Sequence, residues 1–127
     1  MNNINALAPC PASPNCVSSL AEEKRQRVDP LPVRRSTAES LAVLRGVIAA
    51  MPRATVVAAN EHTLHAEFRS LLGFIDDVTC MIDEDGGVIH IRSASRTGYW
   101  DVGVNRRRVE GIRVRYLDAV RKIEPEV

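Results

Sequence analysis

The chain is poor in aromatic residues and nearly neutral overall. Phe, Tyr and Trp together make up 4% of its 127 residues, Trp occurs once, and the formal net charge at pH 7 is +1. A protein that attracts nucleic acid through its overall field carries a clear positive excess, and one that stacks bases needs several exposed rings. Composition therefore argues against nucleic acid as a partner, and no global field directs the protein to a membrane.

Long apolar runs are also missing. No stretch approaches the roughly 18 apolar residues that a membrane-spanning helix needs. The beginning, Met1–Leu7, has neither the basic nor the apolar region of a signal peptide. The sequence therefore predicts no transmembrane segment and, by default, a cytoplasmic protein.

Histidine occurs only three times, at His62, His65 and His90, and no second ligand stands near any of them at the spacing of a metal motif. The chain also lacks a glycine-rich phosphate loop and the elbow sequence around a catalytic serine. It therefore predicts no cofactor, no metal site and no catalytic residue.

Proline is concentrated at one end of the chain. Residues 1–35 hold five of the seven prolines and show no periodicity, which predicts an extended arm packed on the rest of the protein. Cys10 and Cys16 lie in this arm with five residues between them. They are interpreted either as two packed thiols or as a disulfide. Zinc binding is disfavoured, because the spacing differs from that of paired zinc knuckles and no His is near.

Residues 36–127 are predicted to form one α+β domain. Ser36-Thr-Ala-Glu39 matches a capping box, and Pro52 stops the helical spacing that follows, so we predict a helix over Thr37–Met51. A second helix is predicted from its cap at Asn105 to Pro125. The residues between them have the short apolar or alternating patterns of strands. The four predicted strands are Thr55–Ala59, Thr63–Ser70, Ile75–Asp83 and Val88–Ser95.

The turn between the last two strands predicts their register. Asp85-Gly86 favours a two-residue type I′ turn, and the register that this turn implies also places apolar residues opposite one another. The predicted facing pairs are Ile82 and Ile89, Cys80 and Ile91, Val78 and Ser93, Asp76 and Ser95, and Asp77 and Ala94.

The elements follow the order α-β-β-β-β-α. We therefore predict a four-stranded antiparallel sheet with both helices on one face. Met81 and Thr79 are predicted to point away from the helices, which is consistent with a monomer or with a weak homodimer through the outer face of the sheet.

The stretch Arg92–Arg108, called here the connector, joins the last strand to the last helix and is unusually rich in hydrogen-bonding side chains. It ends on Arg106, Arg107 and Arg108 in the first helical turn, where cations need acidic partners or an anionic ligand. Together with the two acidic residues that the hairpin brings near, it defines the candidate site. The candidate site residues are Asp76, Asp77, Arg92, Ser93, Ser95, Arg96, Tyr99, Asp101, Asn105 and Arg106.

Three interpretations of these residues stay open. The first is an internal Asp–Arg network that pins the connector, in a binding or assembly domain without catalysis. The second is a pocket in which Arg92, Arg96 and Arg106 bind a small phosphate- or carboxylate-bearing anion, walled by the aromatics. The third is a hydrolase-like enzyme that uses Asp76 or Asp77, although neighbouring residues on a strand point to opposite faces and do not form a dyad.

Three segments together resemble the bacterial and plant family named domain of unknown function 1499. They are Cys10-Pro-Ala-Ser-Pro-Asn-Cys-Val-Ser-Ser19, Gly73-Phe-Ile-Asp-Asp77 and Arg92-Ser-Ala-Ser-Arg-Thr-Gly-Tyr-Trp-Asp-Val-Gly-Val-Asn-Arg106. At Val102 the chain departs from the pattern, which has an aromatic residue there. The resemblance implies no established activity. It implies that export or membrane association is an alternative to the cytoplasm, and that the two-cysteine arm is a signature of the family.

Overall fold

The structure is a computed structural model, and it describes residues 7–124. The first six residues of the predicted arm and the predicted helix end at Pro125 lie outside that range. Within it the chain forms two helices and one antiparallel sheet, as expected for an α+β protein. Neither helix of the described part is long and apolar enough to cross a membrane.

The sheet has six strands rather than the four predicted. The strands are β1 (Cys16–Ser18), β2 (Leu31–Pro32), β3 (Ala54–Ala59), β4 (Thr63–Arg69), β5 (Ile75–Asp83) and β6 (Val88–Ser95). They are arranged in the order β1-β6-β5-β4-β3. β2 also pairs with β6, so β1 and β2 lie one after the other along the same edge of β6. The two additional strands come from the arm. They escaped prediction because runs of three and two residues are too short to show a period.

The register of the β5–β6 hairpin is as predicted, and the turn is not. All five predicted facing pairs are present. The turn over Glu84–Gly87 is closed by a hydrogen bond from the Gly87 amide to the Glu84 carbonyl, but neither Asp85 nor Gly86 has a positive φ. Gly87 takes the left-handed conformation instead, at φ 68°. A turn with one left-handed glycine after it also matches strand twist, which explains the unchanged register.

The helices are α1 (Thr37–Ala49) and α2 (Val104–Ile123). The predicted cap at the start of α1 is present, since Ser36 Oγ accepts from the Glu39 amide at 3.0 Å. The Glu39 carboxylate reaches back as expected, but it accepts from the Ser36 hydroxyl, at 3.1 Å, and not from the backbone amide of a complete capping box. Residues of both helices belong to the same core cluster as the inward residues of β4, β5 and β6. The helices also pack on each other, so one core lies between them and the sheet.

The outer face of the sheet offers less apolar surface than predicted. Met81 was expected to point outward and support a dimer, but its side chain is buried. The outward positions near it carry polar side chains, among them His65, Asp77 and His90. A homodimer through Met81 is therefore not supported by the described surface.

Three connections meet at one end of the sheet and position the candidate site. The loop of residues 70–74 joins β4 to β5, the connector leaves β6 after Ser95, and the arm enters β1 at Cys16. The Arg96 amide donates to the Ile75 carbonyl at 3.1 Å, and the Ser95 amide donates to the Asn15 carbonyl at 3.0 Å. Backbone hydrogen bonds therefore hold all three connections side by side.

Candidate functional site

Asn105 is the centre of the polar network. Its side chain is completely buried, and its Oδ1 accepts from Ser93 Oγ at 2.6 Å. Its Nδ2 lies 2.9 Å from Ser95 Oγ, 2.9 Å from Asp101 Oδ2 and 3.1 Å from the Asn15 carbonyl oxygen. The amide has two hydrogens for these three acceptors, so they share its donors. One side chain thus ties together the last strand, the connector, the last helix and the arm.

Asn105 is not the helix cap that the sequence predicted. The helix begins one residue earlier, and the residue at its N-terminal boundary is Gly103, at φ 78°. Asp101 performs the capping, because its carboxylate accepts from the amides of Gly103 at 2.9 Å and Asn105 at 3.1 Å. Burial raises the pKa of Asp101, but these hydrogen bonds and that of the Asn105 side chain outweigh it and lower the pKa overall.

Asp76 points toward the helices and pairs with Arg108, an arginine that the candidate set did not include. Arg108 Nη1 lies 2.6 Å from Asp76 Oδ2, and both side chains are mostly buried. The same nitrogen lies 3.2 Å from Asn105 Oδ1, and the guanidinium stands 4.8 Å from the centroid of the Phe68 ring. Asp76 is therefore joined to the network around Asn105 through a buried cation.

Asp77 points to the opposite face, as the alternation of the strand requires. Arg96 binds it with two hydrogen bonds of 2.7 and 2.9 Å, and also donates to Glu67 at 2.7 Å. His65 Nε2 lies 2.9 Å from Asp77 Oδ1. The Arg96 hydrogen bond, assisted by His65, lowers the pKa of Asp77 against the effect of burial. The two acidic residues thus belong to separate clusters and form no dyad.

Arg106 and Arg107 find carbonyl oxygens instead of the acids or the anion predicted for the first turn of α2. Arg106 donates to the carbonyls of Arg25 at 2.7 Å and Arg27 at 3.1 Å, both in the arm. Arg107 donates to the Val102 carbonyl at 2.9 Å. Backbone oxygens carry partial negative charge, so they partly offset the unfavourable helix dipole.

Arg92 differs from the other arginines because its hydrogen-bonding is incomplete. Its Nη2 reaches the Pro9 carbonyl at 3.3 Å, while its Nε is buried and has no partner among the described residues. Burial lowers the pKa of Arg92, and the charge of Asp77 opposes that effect. Arg92, Arg96 and Arg106 therefore each end on a different partner and do not converge on one pocket.

A disulfide between Cys10 and Cys16 closes a small loop within the arm, which is one of the two alternatives open from the sequence. The remaining cysteine, Cys80, is buried as a free thiol, and burial raises its pKa to about 12. Within residues 7–124 no group of His, Cys, Asp or Glu is placed to hold a metal ion.

The arrangement of the arm, the acidic pair and the connector corresponds to the segments that resemble a known family. The profile of the family described as "Protein of unknown function (DUF1499)" matches residues 6–115, which is most of the chain. The chain belongs to the DUF1499 family. A search of the curated proteins gives no match. Membership thus confirms the expected family and brings no activity with it.

The thiol chemistry of this DUF1499 protein gives a direct prediction. The native protein without reductant should not react with an alkylating agent, because Cys10 and Cys16 are bonded to each other and the thiol of Cys80 is buried and protonated. Denaturation alone should expose one thiol, and denaturation with reductant should expose three. Intact mass after alkylation counts the adducts. Three adducts on the unreduced, denatured protein would contradict the disulfide.

An exposed apolar surface of the DUF1499 protein was missed by sequence reasoning. Six large apolar side chains of the 70–74 loop and the connector are between 57% and 86% exposed. These six residues are called here the apolar tip: Leu71, Leu72, Phe74, Tyr99, Trp100 and Val102. Tyr99 and Trp100 touch edge to face, with ring centroids 5.0 Å apart. Both rings are more than half exposed to solvent. The only signal in the sequence was the interruption of the strand pattern at Leu71-Leu72-Gly73-Phe74.

A cleft of about 810 Å³ lies at the other end of the DUF1499 fold, between α1 and the β3–β4 turn. Its buried wall is apolar and includes Leu41, Leu64 and Ile82. Arg45 and Glu61, both exposed, also line it. Because the lining residues carry charges of both signs, the cleft selects no class of charged ligand.

Proposed function

We propose that this DUF1499 protein is a non-catalytic binding domain, in which the Asp–Arg network is a scaffold and the apolar tip is the binding surface. The proposal rests on the contrast between the network, whose charged groups have partners inside the protein, and the apolar tip, whose side chains face solvent. Asp76, Asp77, Arg96 and Arg106 all end on internal partners, whereas the side chains of the tip are exposed to solvent. Exposed apolar patches of this kind mark interaction sites.

The scaffold explains how two loops present the tip in one arrangement. Val102 is held in the left-handed region at φ 49°, which is strained for a β-branched residue. Asp101 and Arg107 both bond to the peptide group that follows Val102, Asp101 through the Gly103 amide and Arg107 through the Val102 carbonyl. Strain that the surrounding contacts maintain at an exposed apolar residue is typical of a functional position.

The geometry lends little support to the hydrolase-like alternative. Asp76 and Asp77 point to opposite faces and each is bound to an arginine. A general acid at neutral pH needs a raised pKa, and the pKa of Asp77 is lowered. Binding without catalysis therefore fits these carboxylates better.

A small anion at Arg92 is the second candidate, and one observation favours it. The Nε of Arg92 is buried and finds no hydrogen-bond partner among residues 7–124, a condition that proteins rarely leave unresolved. An anion that also used Arg96 would have to displace two acidic side chains, Asp77 and Glu67. Because of that competition, an anion would bind here less tightly than it would bind to three arginines without acidic partners.

A thermal-shift screen separates these candidates. Phosphate, sulfate, nucleotides and short carboxylates at fixed ionic strength should leave the melting temperature unchanged, since a ligand raises it only by binding the folded state. Arg96→Ala should melt at a lower temperature and respond to the anions as the wild type does. A rise with one class of anion that disappears in Arg92→Gln would overturn the proposal in favour of the pocket.

The compartment is also part of the proposal. Disulfides persist in oxidising environments and are rare in the cytosol, so the Cys10–Cys16 bond supports an exported location over the cytoplasmic default. A protein partner, rather than a nucleic acid, fits the nearly neutral chain.

A further inference from the structure

The cleft between α1 and the β3–β4 turn lies between the helix layer and the sheet. Its floor is the helix-facing side of the sheet, where Leu64 of β4 and Ile82 of β5 are buried members of the hydrophobic core. Ala59 of β3 is paired directly with Leu64, so its side chain points to the same face. Ala59 is nevertheless exposed, which shows that α1 leaves this end of the sheet uncovered. The cleft is therefore an open continuation of the core.

The helical side of the cleft is long and carries mostly small side chains. The lining residues extend along all of α1, from Thr37 to Ala49, which is roughly 18 Å at about 1.5 Å per residue. Apart from Leu41 and Arg45 these residues are small: Thr37, Ala38, Ala42, Gly46 and Ala49. The volume of about 810 Å³ lies within the range of about 300–1,000 Å³ that is typical of small-molecule sites. An elongated small molecule therefore fits between the two layers.

Gly46 is a small residue that the helix itself does not require. Glycine inside a helix lowers the stability of the helix relative to alanine. The usual reasons for a glycine are missing, because Gly46 lies within α1 and has no positive φ. Beyond the adjacent backbone, no atom of the described residues lies within 4 Å of the position that a Cβ would take. Alanine would fit here and stabilise α1, so what glycine contributes is room in the cleft.

The charged groups at the rim bear on the chemistry of the occupant. Arg45, Glu61 and Glu84 line the cleft, are exposed, and form no ion pair within residues 7–124. Water screens exposed charges, and these have both signs, so neither an anionic nor a cationic ligand gains much from them. The buried apolar floor, in contrast, would remove water from any charge that entered. The cleft therefore suits an uncharged molecule.

We propose that the cleft binds an uncharged, elongated apolar molecule, such as a long-chain alcohol, between α1 and the sheet. The apolar chain contacts Leu41, Leu64 and Ile82, and a polar end group stays in water at the rim. The cleft and the apolar tip lie at opposite ends of the fold, so this second site goes beyond the proposed function.

Fluorescence titration of the whole protein with N-phenylnaphthylamine tests the proposal. This uncharged probe brightens in apolar surroundings, so the protein should increase its fluorescence. Dodecanol should displace the probe at a concentration at least about three times lower than dodecanoate or dodecylammonium, because their charges resist burial. Dodecanol should also raise the melting temperature, since it binds the folded state. No increase in fluorescence, or charged analogues that compete as well as dodecanol, would rule the proposal out.

Gly46→Leu distinguishes a ligand site from an incompletely packed core. The leucine fills part of the cleft and replaces a helical glycine, so probe binding should fall at least about tenfold while the melting temperature rises by roughly 2–5 °C. Gly46→Ala should show a similar rise and keep most of the binding, because one methyl group occupies little of the cleft. A lower melting temperature of Gly46→Ala would contradict the role given to Gly46.

Ala50→Leu is the matched control. Ala50 is exposed, lies directly after the last residue of α1, and does not line the cleft. This variant should bind the probe as the wild type does. Undiminished binding by Gly46→Leu, or an equal loss in Ala50→Leu, would place the probe elsewhere and refute the site. Either result leaves the apolar tip and the anion screen unaffected.

Discussion

Replacing Asn105 with alanine is expected to lower the free energy of unfolding by about 3 kcal/mol. The substitution removes the acceptor of Ser93 Oγ, which is completely buried, and the donor to Asp101 and Ser95. A buried polar group without a partner costs about 1–3 kcal/mol, and more than one group loses its partner here. Urea unfolding followed by circular dichroism measures the loss.

Arg115→Ala is the control for this experiment. Arg115 lies on the same helix, is exposed, and its side chain donates to the Gly111 carbonyl of that helix. Its replacement should change the free energy of unfolding by less than about 0.5 kcal/mol. A loss of less than about 1 kcal/mol in Asn105→Ala, with an unchanged urea slope, would contradict the central role of Asn105.

Replacing Arg108 with leucine is expected to cost about 3–5 kcal/mol, because Asp76 would keep a buried charge without its partner. The two side chains are 16% and 13% exposed, so water does little to replace the lost ion pair. The substitution also removes the cation beside the Phe68 ring. The free energy of unfolding at neutral pH, measured in urea, reports the effect.

A double-mutant cycle separates the ion pair from the shape of Arg108. Asp76→Asn/Arg108→Leu should be more stable than Arg108→Leu alone, since no unpaired charge remains. Arg35→Leu is a suitable comparison, because Arg35 forms its ion pair with Glu39 at the surface, where such pairs contribute little. If Arg108→Leu were as mild as Arg35→Leu, the Asp76–Arg108 contact would not be the buried pair that the structure shows.

The β5–β6 hairpin shows what the sequence predicts well. Two independent signals, the apolar alternation of Ile75–Asp83 and the turn residues after it, agreed on one register, and that register is present. The turn type failed because Gly86 and Gly87 are consecutive, and either glycine is able to take the left-handed position. Local pattern thus determined which residues face one another, but not the conformation of the residues between them.

The partners in the network were harder to predict. A hairpin register relates Asp76 and Asp77 only to residues of the neighbouring strand, and it placed Asp77 and Arg96 in the same candidate set. Arg108 lies on a helix above the sheet, and no local spacing relates it to Asp76. For the same reason Asn105 was taken for a cap, although it is the buried centre of the network. Contacts between distant layers need the packed fold.

The arm illustrates a third limit. Its two strands bind β6 through only five residue pairs. Val17, Val28 and Leu31 join the hydrophobic core, and arginines of α2 bond to carbonyls of the arm. Carbonyl acceptors are present at every residue, so the sequence does not mark them. A segment that is held partly through its backbone, with few and unevenly spaced core residues, therefore looks irregular in the sequence and is ordered in the structure.

The pairing of the arm with the end of the chain has a consequence during synthesis. Asn15 bonds to Gly98, a separation of 83 residues, and at about 5–20 residues per second a ribosome needs roughly 4–17 s to add the partner. The arm emerges first, yet it has nothing to pair with until β6 and the connector follow. The Cys10–Cys16 loop spans only six positions, and in an oxidising compartment it is able to close before they pair. The arm would then wait as a preformed ring and complete the sheet last.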